Sequence, residues 1–138
     1  GGASMDFQEK MDFANSHNMF AIYNDVKIVE LDGDHSVVKC HFGKDGENAM
    51  GGIHGGLLFL MGDVAAGMLT RALGGTWVTL DSSIRYLRDG RNATVLISRG
   101  SVIKRGRTTT IVRSQIMAEG STEVLAEGEF TFFCLDKK

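Results

Sequence analysis

The sequence predicts an α+β domain in which an antiparallel sheet of about five to six strands wraps around one long central helix. Three observations support this. Residues 55–73 are rich in Leu, Met, Ala and Phe and poor in β-branched residues, which favours a helix. Strand-like segments, two before and four after, flank this helix and are separated by turns with Gly and Asp. The helix is apolar nearly all the way round, so most of its surface needs a covering layer.

The segment before the long helix predicts a short helix and a hairpin. Residues 5–17 have a weak helical pattern, typical of a short amphipathic helix at the domain edge. Val26–Leu31 is rich in β-branched residues, and His35–Phe42 alternates, with one face formed by Ser36, Val38, Cys40 and Phe42. Asp32-Gly33-Asp34 joins the two strands as a hairpin turn, and residues 43–52 are predicted to be irregular.

The segment after the long helix predicts strands only. Gly74-Gly75 ends the helix. The four predicted strands are Thr76–Leu87, Ala93–Lys104, Arg107–Ala118 and Val124–Cys134. Turns with Asp89-Gly90, Gly106 and Glu119-Gly120 separate them, and we interpret the four strands as a meander.

The composition is that of one domain. With 138 residues, 43% of them hydrophobic, the chain can build a single core. Residues 1–4 resemble an expression remnant, so we assign the domain to residues 5–138. The formal net charge of −2 argues against a nucleic-acid-binding protein.

Other features indicate a cytoplasmic protein without a membrane anchor. The charged segment after Met5 is unlike a secretory signal peptide. The most apolar stretch, residues 57–69, is shorter than the roughly 20 residues of a membrane span. Cys40 and Cys134 are interpreted as reduced core thiols. We expect no bound metal, since the histidines lack ligand spacing, and no Gly-x-Ser-x-Gly elbow is present.

Asp63 is the most informative residue, because it is the only charged side chain between Gly55 and Thr70. A carboxylate in an apolar helix is costly to bury unless it is paired, hydrogen-bonded or kept for a task. The alternative is a structural Asp that is bonded to neighbouring backbone or solvated at a surface gap.

The Gly-rich stretch at residues 51–56, Gly-Gly-Ile-His-Gly-Gly, is the second candidate for chemistry. The first amides of a helix lack intrahelical partners and lie at the positive end of its dipole. They can therefore bind an anion, or an oxyanion that forms on a carbonyl. Glycine before a helix is also common in ordinary tight turns.

The spacing of these two candidates predicts a site shared by two subunits. Gly55 and Asp63 are eight residues apart, about 12 Å along one helix. A carboxylate and an oxyanion donor that act on one carbonyl must both lie within about 3 Å of it. If both are catalytic, each comes from a different subunit across a two-fold interface. Small residues near Asp63 fit a close approach by other backbone: Gly62, Ala65, Ala66 and Gly67.

These residues resemble a known family. His54-Gly55-Gly56 followed by Asp63, with Asn48 six residues before His54, is similar to the hot-dog thioesterases of the phenylacetic-acid-degradation (PaaI-like) type. Residues 84–90 resemble the family's strand ending in Leu-Arg-Pro-Gly, with Asp89 in place of proline, and residues 104–108 resemble its next hairpin. The resemblance covers most of the chain.

The resemblance implies a hot-dog fold and an acyl-CoA thioesterase. The Gly55 backbone N–H would polarise the thioester carbonyl, and Asp63 of the partner subunit would act as nucleophile or general base. Asn48 would orient water or the thioester, His54 would hold the loop and approach the sulfur, and Thr79 would assist beside the carboxylate. The resemblance also implies a homodimer as catalytic unit and a homotetramer built from two dimers.

Coenzyme A, as part of the substrate and the only cofactor moiety expected, needs positive charge for its phosphates. Two basic clusters are candidates: Arg85, Arg88 and Arg91, and Lys104, Arg105 and Arg107. Such charges are also common on solvated sheet edges. Met61, Met68 and Trp77 either line an acyl pocket or belong to the core.

The sequence does not distinguish between aryl, phenylacetyl-like and medium-chain acyl groups. A non-catalytic acyl-CoA binder or sensor on the same fold is the main alternative, and the scaffold also hosts dehydratases. A pure binder has no need for a carboxylate beside the thioester.

Overall fold

A computed structural model, which describes residues 6–136, has one six-stranded antiparallel sheet with a long helix packed against it. The helices are α1 (Phe7–His17), α2 (Met19–Tyr23) and α3 (Gly55–Arg71). The strands are β1 (Val26–Leu31), β2 (His35–His41), β3 (Trp77–Tyr86), β4 (Val95–Arg105), β5 (Thr109–Ala118) and β6 (Val124–Cys134). The predicted fold class is confirmed, and α2 and a 3₁₀ turn at Lys44–Gly46 are additions to it. The predicted expression remnant lies outside the described residues.

The long helix ends as the glycine pair predicts. α3 stops at Arg71, two residues before the predicted end, and Gly74 and Gly75 follow with φ angles of 99° and 91°. Left-handed backbone of this kind favours glycine. The chain can therefore turn sharply from the helix into β3.

The order of the strands corrects one prediction. The sheet runs β1-β2-β4-β5-β6-β3, so the four strands after the helix do not form a simple meander. β3 pairs with β6, from Trp77 opposite Cys134 to Tyr86 opposite Ala126. β4 has only two edges, and β2 and β5 occupy them. β3 therefore takes the free edge of β6, at the far side of the sheet.

α3 lies close to the sheet because the residues beneath it are small. A Cβ added to Gly100 of β4 would lie 3.2 Å from the carbonyl oxygen of Ala65. The Ser36 hydroxyl donates to that carbonyl oxygen at 2.7 Å, and the Ser114 hydroxyl donates to the carbonyl oxygen of Gly62 at 2.8 Å. The small residues of α3 thus admit the backbone and hydroxyls of the chain's own sheet.

The core lies between α3 and the sheet. Its largest fully buried side chains include Met61, Leu69, Leu96, Ile116, Phe130 and Phe132. Met68 and Trp77 are also buried in core clusters, so the three candidates for an acyl pocket or core belong to the core. Cys40 and Cys134 are both buried, which confirms their predicted place in the core.

The two edges of the sheet differ. At the β1 edge, the Asn15 side-chain amide donates to the carbonyl oxygen of Ile28 at 2.8 Å, and its carbonyl oxygen accepts from the Ile28 amide at 2.9 Å. At the other edge, no strand of the described chain pairs with the outer side of β3. Leu80, in the middle of that strand, is 60% exposed. An unpaired edge is a template for another strand, so the sheet has one blocked edge and one open edge.

The hydrogen bond from Ser114 to α3 predicts a loss of stability when the Ser114 hydroxyl is removed. Ser114→Ala should lower the free energy of unfolding by about 1 kcal/mol, because a buried hydrogen bond to the helix is lost. Urea denaturation at fixed protein concentration measures the change. Ser101→Ala, a β4 residue with no hydrogen bond from its hydroxyl within residues 6–136, is the matched control and should change it by less than about 0.5 kcal/mol. Equal losses in the two variants would contradict this account of the helix contact.

Candidate active site

Asp63 lies on α3 beside the first residues of β3. The Thr79 hydroxyl donates to Asp63 Oδ1 at 3.4 Å, and the carboxylate is half-buried. Burial raises the pKa of the Asp63 carboxyl, while the Thr79 hydrogen bond and the charge of Arg71 lower that pKa; burial is the largest of the three effects. Thr79, which the sequence placed beside the carboxylate only by resemblance, is therefore adjacent to it.

β3 is irregular where it passes Asp63. Its register against β6 shifts between Thr79 and Asp81, so that Thr79 lies opposite Phe132 and Ser82 lies opposite Phe130. Directly opposed residues share a face of the sheet, and both phenylalanines are buried in the core. The extra residue thus keeps Thr79 and Ser82 on the helix side, as bulges beside functional sites often do.

The N-terminus of α3 offers one free amide. His54 is the N-cap, and its Nδ1 accepts from the Gly56 amide at 2.8 Å. The Gly55 amide donates to no acceptor in the part of the chain that the structure describes. It lies at the positive end of the helix dipole, so the predicted oxyanion donor has no acceptor among residues 6–136. The bond from the Gly56 amide places the His54 ring at the start of α3, and its predicted role of holding the loop stays a prediction.

Tyr86 closes one side of this helix start, although it is not among the predicted site residues. Its hydroxyl donates to the carbonyl oxygen of Gly55 at 3.0 Å, and a Cβ at residue 55 would lie 3.2 Å from its ring. The alternation of Ser82, Ile84 and Tyr86 could have placed its side chain on the helix face. Its position above Gly55, however, depends on how β3 lies along the helix.

Asn48 organises the loop before α3. Its Oδ1 accepts from the backbone amides of Met50 at 2.9 Å and Gly52 at 3.0 Å. The backbone amide of Asn48 donates to the carbonyl oxygen of Gly52 at 2.8 Å. Its Nδ2 donates to no residue between 6 and 136. That NH₂ group is the part of Asn48 that a ligand or water could use.

A single chain does not bring the two candidate groups to one carbonyl. α3 is continuous from Gly55 to Arg71, and eight residues of helix span about 12 Å. Asp63 contacts Thr79 near the start of β3, whereas Gly55 contacts Tyr86 at its end. The two groups therefore lie toward opposite ends of the open-edged strand.

The first basic cluster lies at the Gly55 end of the sheet. Arg88 pairs with Glu123 at 2.7 Å, and Arg91 pairs with Asp89 at 2.8 Å. Residues 88–95 line a cavity of about 480 Å³ beside them. Arg85 is exposed and makes no ion pair within the described chain.

The second basic cluster lies at the other end of α3. The Arg105 guanidinium donates to the carbonyl oxygens of Thr70 at 3.1 Å, Leu69 at 3.0 Å and Gly33 at 3.1 Å. It thus caps the C-terminus of α3, a task different from the predicted phosphate contact, which stays untested. Lys104 and Arg107 are exposed and have no ion pair among residues 6–136. One chain therefore does not present both clusters to one ligand.

Residues 6–136 contain neither a group of side chains suited to a metal ion nor a helix suited to crossing a membrane. Within this range, no three His, Cys, Asp or Glu side chains are grouped so that they could hold a metal ion. None of the described helices is both long and apolar enough to cross a membrane.

The raised pKa of Asp63 predicts a stability cost. A carboxyl whose pKa is higher in the folded chain than in the unfolded chain destabilises the fold when it is ionised, and the cost disappears as the pH falls through the folded pKa. Asp63→Asn should therefore have a higher free energy of unfolding than the parent at pH 7, and this difference should shrink as the pH falls. Urea denaturation of the two proteins at pH 7 and at an acidic pH measures the difference. A clear loss of stability at pH 7 would indicate a structural carboxylate instead.

Comparisons with known proteins identify the family. A model of the thioesterase superfamily matches residues 50–125. A hypothetical thioesterase protein with coenzyme A from Streptococcus pneumoniae is 29% identical over 91% of this chain and 98% of that one, with a TM-score of 0.80. A Streptococcus mutans protein bound to acetyl CoA is 28% identical over 84% and 93% of the two chains, with a TM-score of 0.76.

The fold is also that of the proteins named by the sequence resemblance. A variant of the phenylacetic acid degradation protein PaaI from Thermus thermophilus superimposes with a TM-score of 0.78, at 24% identity over 85% of this chain and 99% of that one. No curated protein matches the sequence. The superfamily model spans more than half of the chain, and the predicted hot-dog fold is confirmed. This chain belongs to the thioesterase superfamily.

Proposed function

We propose that the chain is an acyl-CoA thioesterase that works as a dimer, with the Gly55 amide of one copy and the Asp63 carboxylate of the other at each site. The superfamily supplies the reaction class, and two similar structures hold CoA or acetyl CoA. The observation that carries the proposal is the position of Asp63 and Gly55 against opposite ends of β3, a strand with an open edge.

Antiparallel pairing of two copies of β3 would complete two sites. A two-fold axis between the two β3 strands brings the first residues of one strand opposite the last residues of the other. Asp63, beside Thr79, would then face the end of the second β3, where Tyr86 and Gly55 lie. The blocked edge at β1 leaves β3 as the edge at which a second copy can add.

Each part of such a site has a chemical task. The thioester carbonyl oxygen accepts from the Gly55 amide, and the helix dipole stabilises the negative charge that develops there. Asp63 either attacks the carbonyl carbon or takes a proton from a water that attacks it. If Asp63 attacks, the carbon–sulfur bond breaks as a mixed anhydride forms, CoA leaves as the thiolate, and water then hydrolyses the anhydride to the free acid and the Asp63 carboxylate. If Asp63 acts as a base, the water oxygen bonds to the carbonyl carbon, the carbon–sulfur bond breaks, and the thiolate of CoA leaves. The Thr79 hydroxyl holds the carboxylate, and Asn48 Nδ2 is free to hold water or the thioester.

The same dimer would place the first basic cluster of one copy near the second basic cluster of the other. In one chain they lie at opposite ends of α3, but antiparallel pairing turns the second copy end for end. Arg85 and Arg88 of one copy would then lie on the same side as Lys104 and Arg107 of the other. Charges on either copy could therefore serve the phosphates of one CoA, while Arg105 keeps its bonds to the end of α3.

The carboxylate is the first target for a test of activity. Asp63→Asn keeps the shape and removes the charge, so release of free thiol from aryl-, phenylacetyl- and medium-chain-CoA esters should fall at least about 100-fold. Asp12→Asn, on the exposed face of α1, is the matched control and should retain the parent rate.

Two results would count against this proposal. An Asp63→Asn variant that keeps the parent rate would remove the carboxylate from the mechanism. A parent protein that binds these esters but releases no thiol would favour the non-catalytic binder.

The shared site predicts complementation between two inactive variants. Gly55→Pro removes the proposed oxyanion amide, and proline fits the first position of a helix, but its ring also crowds the Tyr86 ring, which lies 3.2 Å from a Cβ at this position. When Asp63→Asn and Gly55→Pro chains with different tags are co-expressed, the heterodimer has one site with both defects and one with none. The purified heterodimer should therefore show about half of the parent activity.

If each site came from a single chain, every site in the heterodimer would carry one defect. The doubly tagged species would then be as inactive as either homodimer, and the shared site would be excluded.

A further inference from the structure

Arg71 is the last residue of α3. It is exposed in the single chain, yet its guanidinium is held in place. Nη2 donates to the carbonyl oxygen of Trp77 at 2.9 Å, and Cζ lies 5.9 Å from the centroid of the Phe132 ring. Both contacts keep the charge against the start of β3. This is the same part of β3 that contacts Asp63.

Gly67 makes room for this guanidinium. Asp63, Gly67 and Arg71 follow one another at intervals of four residues, so they lie in one row along α3. Helical side chains lean toward the N-terminus, and Arg71 accordingly extends back along this row. Its Nη1 lies 2.6 Å from the position that a Cβ on Gly67 would take. The positive charge therefore sits over Gly67, one turn from Asp63.

Within residues 6–136, no other charge faces Asp63 from β3, β5 or β6, the strands packed beside it. Across the helix, β3 presents Thr79 and Ser82, and β6 presents Phe130 and Phe132. β5 presents Ser114 on this face. Strand alternation carries the charged residues of these strands to the other face of the sheet: Asp81, Arg85, Arg113, Glu127 and Glu129. Among the described residues, Arg71 is thus the one cation positioned to act on Asp63.

We propose that Arg71 is a positioning residue whose guanidinium, held over Gly67, is the counter-charge of Asp63 in the reaction. The catalytic meaning of this inference rests on the proposed thioesterase function. In the single chain, water screens the pair. A second copy on the β3 edge would exclude that water and strengthen the attraction. Arg71 would then keep the carboxylate ionised in the environment that most disfavours its charge.

The test uses four variants and two readouts. Arg71→Met removes the charge, Arg71→Lys keeps it, and Gly67→Ala displaces the guanidinium without removing it. A Cβ at residue 67 meets Phe132 at an ordinary 3.6 Å, so the sheet is left undisturbed. Arg99→Met, exposed on β4, is the matched control for the loss of one positive charge.

The first readout is direct and needs no activity. The carboxyl ¹³C resonance of Asp63, assigned by its absence in Asp63→Asn, is titrated by NMR in each folded variant. The pKa of Asp63 should rise in Arg71→Met and in Gly67→Ala, rise less in Arg71→Lys and keep the parent value in Arg99→Met.

The second readout is the pH dependence of kcat for thiol release. The acidic limb should move to higher pH by the same amount as the NMR titration, with about a tenfold lower rate at acidic pH for each unit of movement. The rate at alkaline pH should change little, whereas a purely structural defect would lower kcat at every pH.

The outcomes separate this inference from the proposed function. If Asp63 titrates at the parent pH in both Arg71→Met and Gly67→Ala, the inference is overturned even where the parent is an active thioesterase. If the pKa of Asp63 moves as expected but the parent releases no thiol from any ester, the counter-charge stands and the thioesterase proposal fails.

Discussion

The close contact between α3 and the sheet is the constraint on which the rest of the structure depends. A helix this apolar must be covered, and the sheet covers it closely only where its own residues are small. Ser36, Gly100 and Ser114 meet that condition. The two hydroxyls bond to the carbonyl oxygens of Gly62 and Ala65, on either side of Asp63 in the sequence. The packing that stabilises the core therefore also sets the direction of the carboxylate.

The same packing leaves two features that folding alone does not explain. One is a carboxyl with a raised pKa in an otherwise apolar helix, which costs stability at neutral pH. The other is a strand edge with an exposed leucine, at a sheet whose opposite edge is blocked by Asn15. Features that break local rules are expected at functional sites. Their coincidence at β3 is the physical basis for a site that two copies of the chain complete.

Much of this arrangement follows from the sequence. The apolar helix, the glycine stop and the strand segments are local signals, so the fold class and most element bounds could be predicted. Asp63 and Gly55 stand out for the same reason, as a lone charge and a helix start. Thr79 came only from the family resemblance, and it lies 3.4 Å from Asp63.

The remaining features depend on contacts between distant segments. The meander prediction was wrong because no local sequence signal distinguishes pairing of β3 with β6 from pairing of β3 with β4. Arg105 belongs to a basic run in the sequence, and only the packed chain brings it to the last carbonyls of α3. Tyr86 and Arg71 gain their positions in the same way, from the placement of β3 along the helix.

The most direct test of the shared site is a crystal structure of the protein with a non-hydrolysable thioether analogue of an acyl-CoA. We expect antiparallel pairing of two β3 strands, with the analogue held between the Gly55 amide of one copy and the Asp63 carboxylate of the other. A structure in which both groups next to the analogue come from one chain, or in which Asp63 is remote from it, would contradict the account.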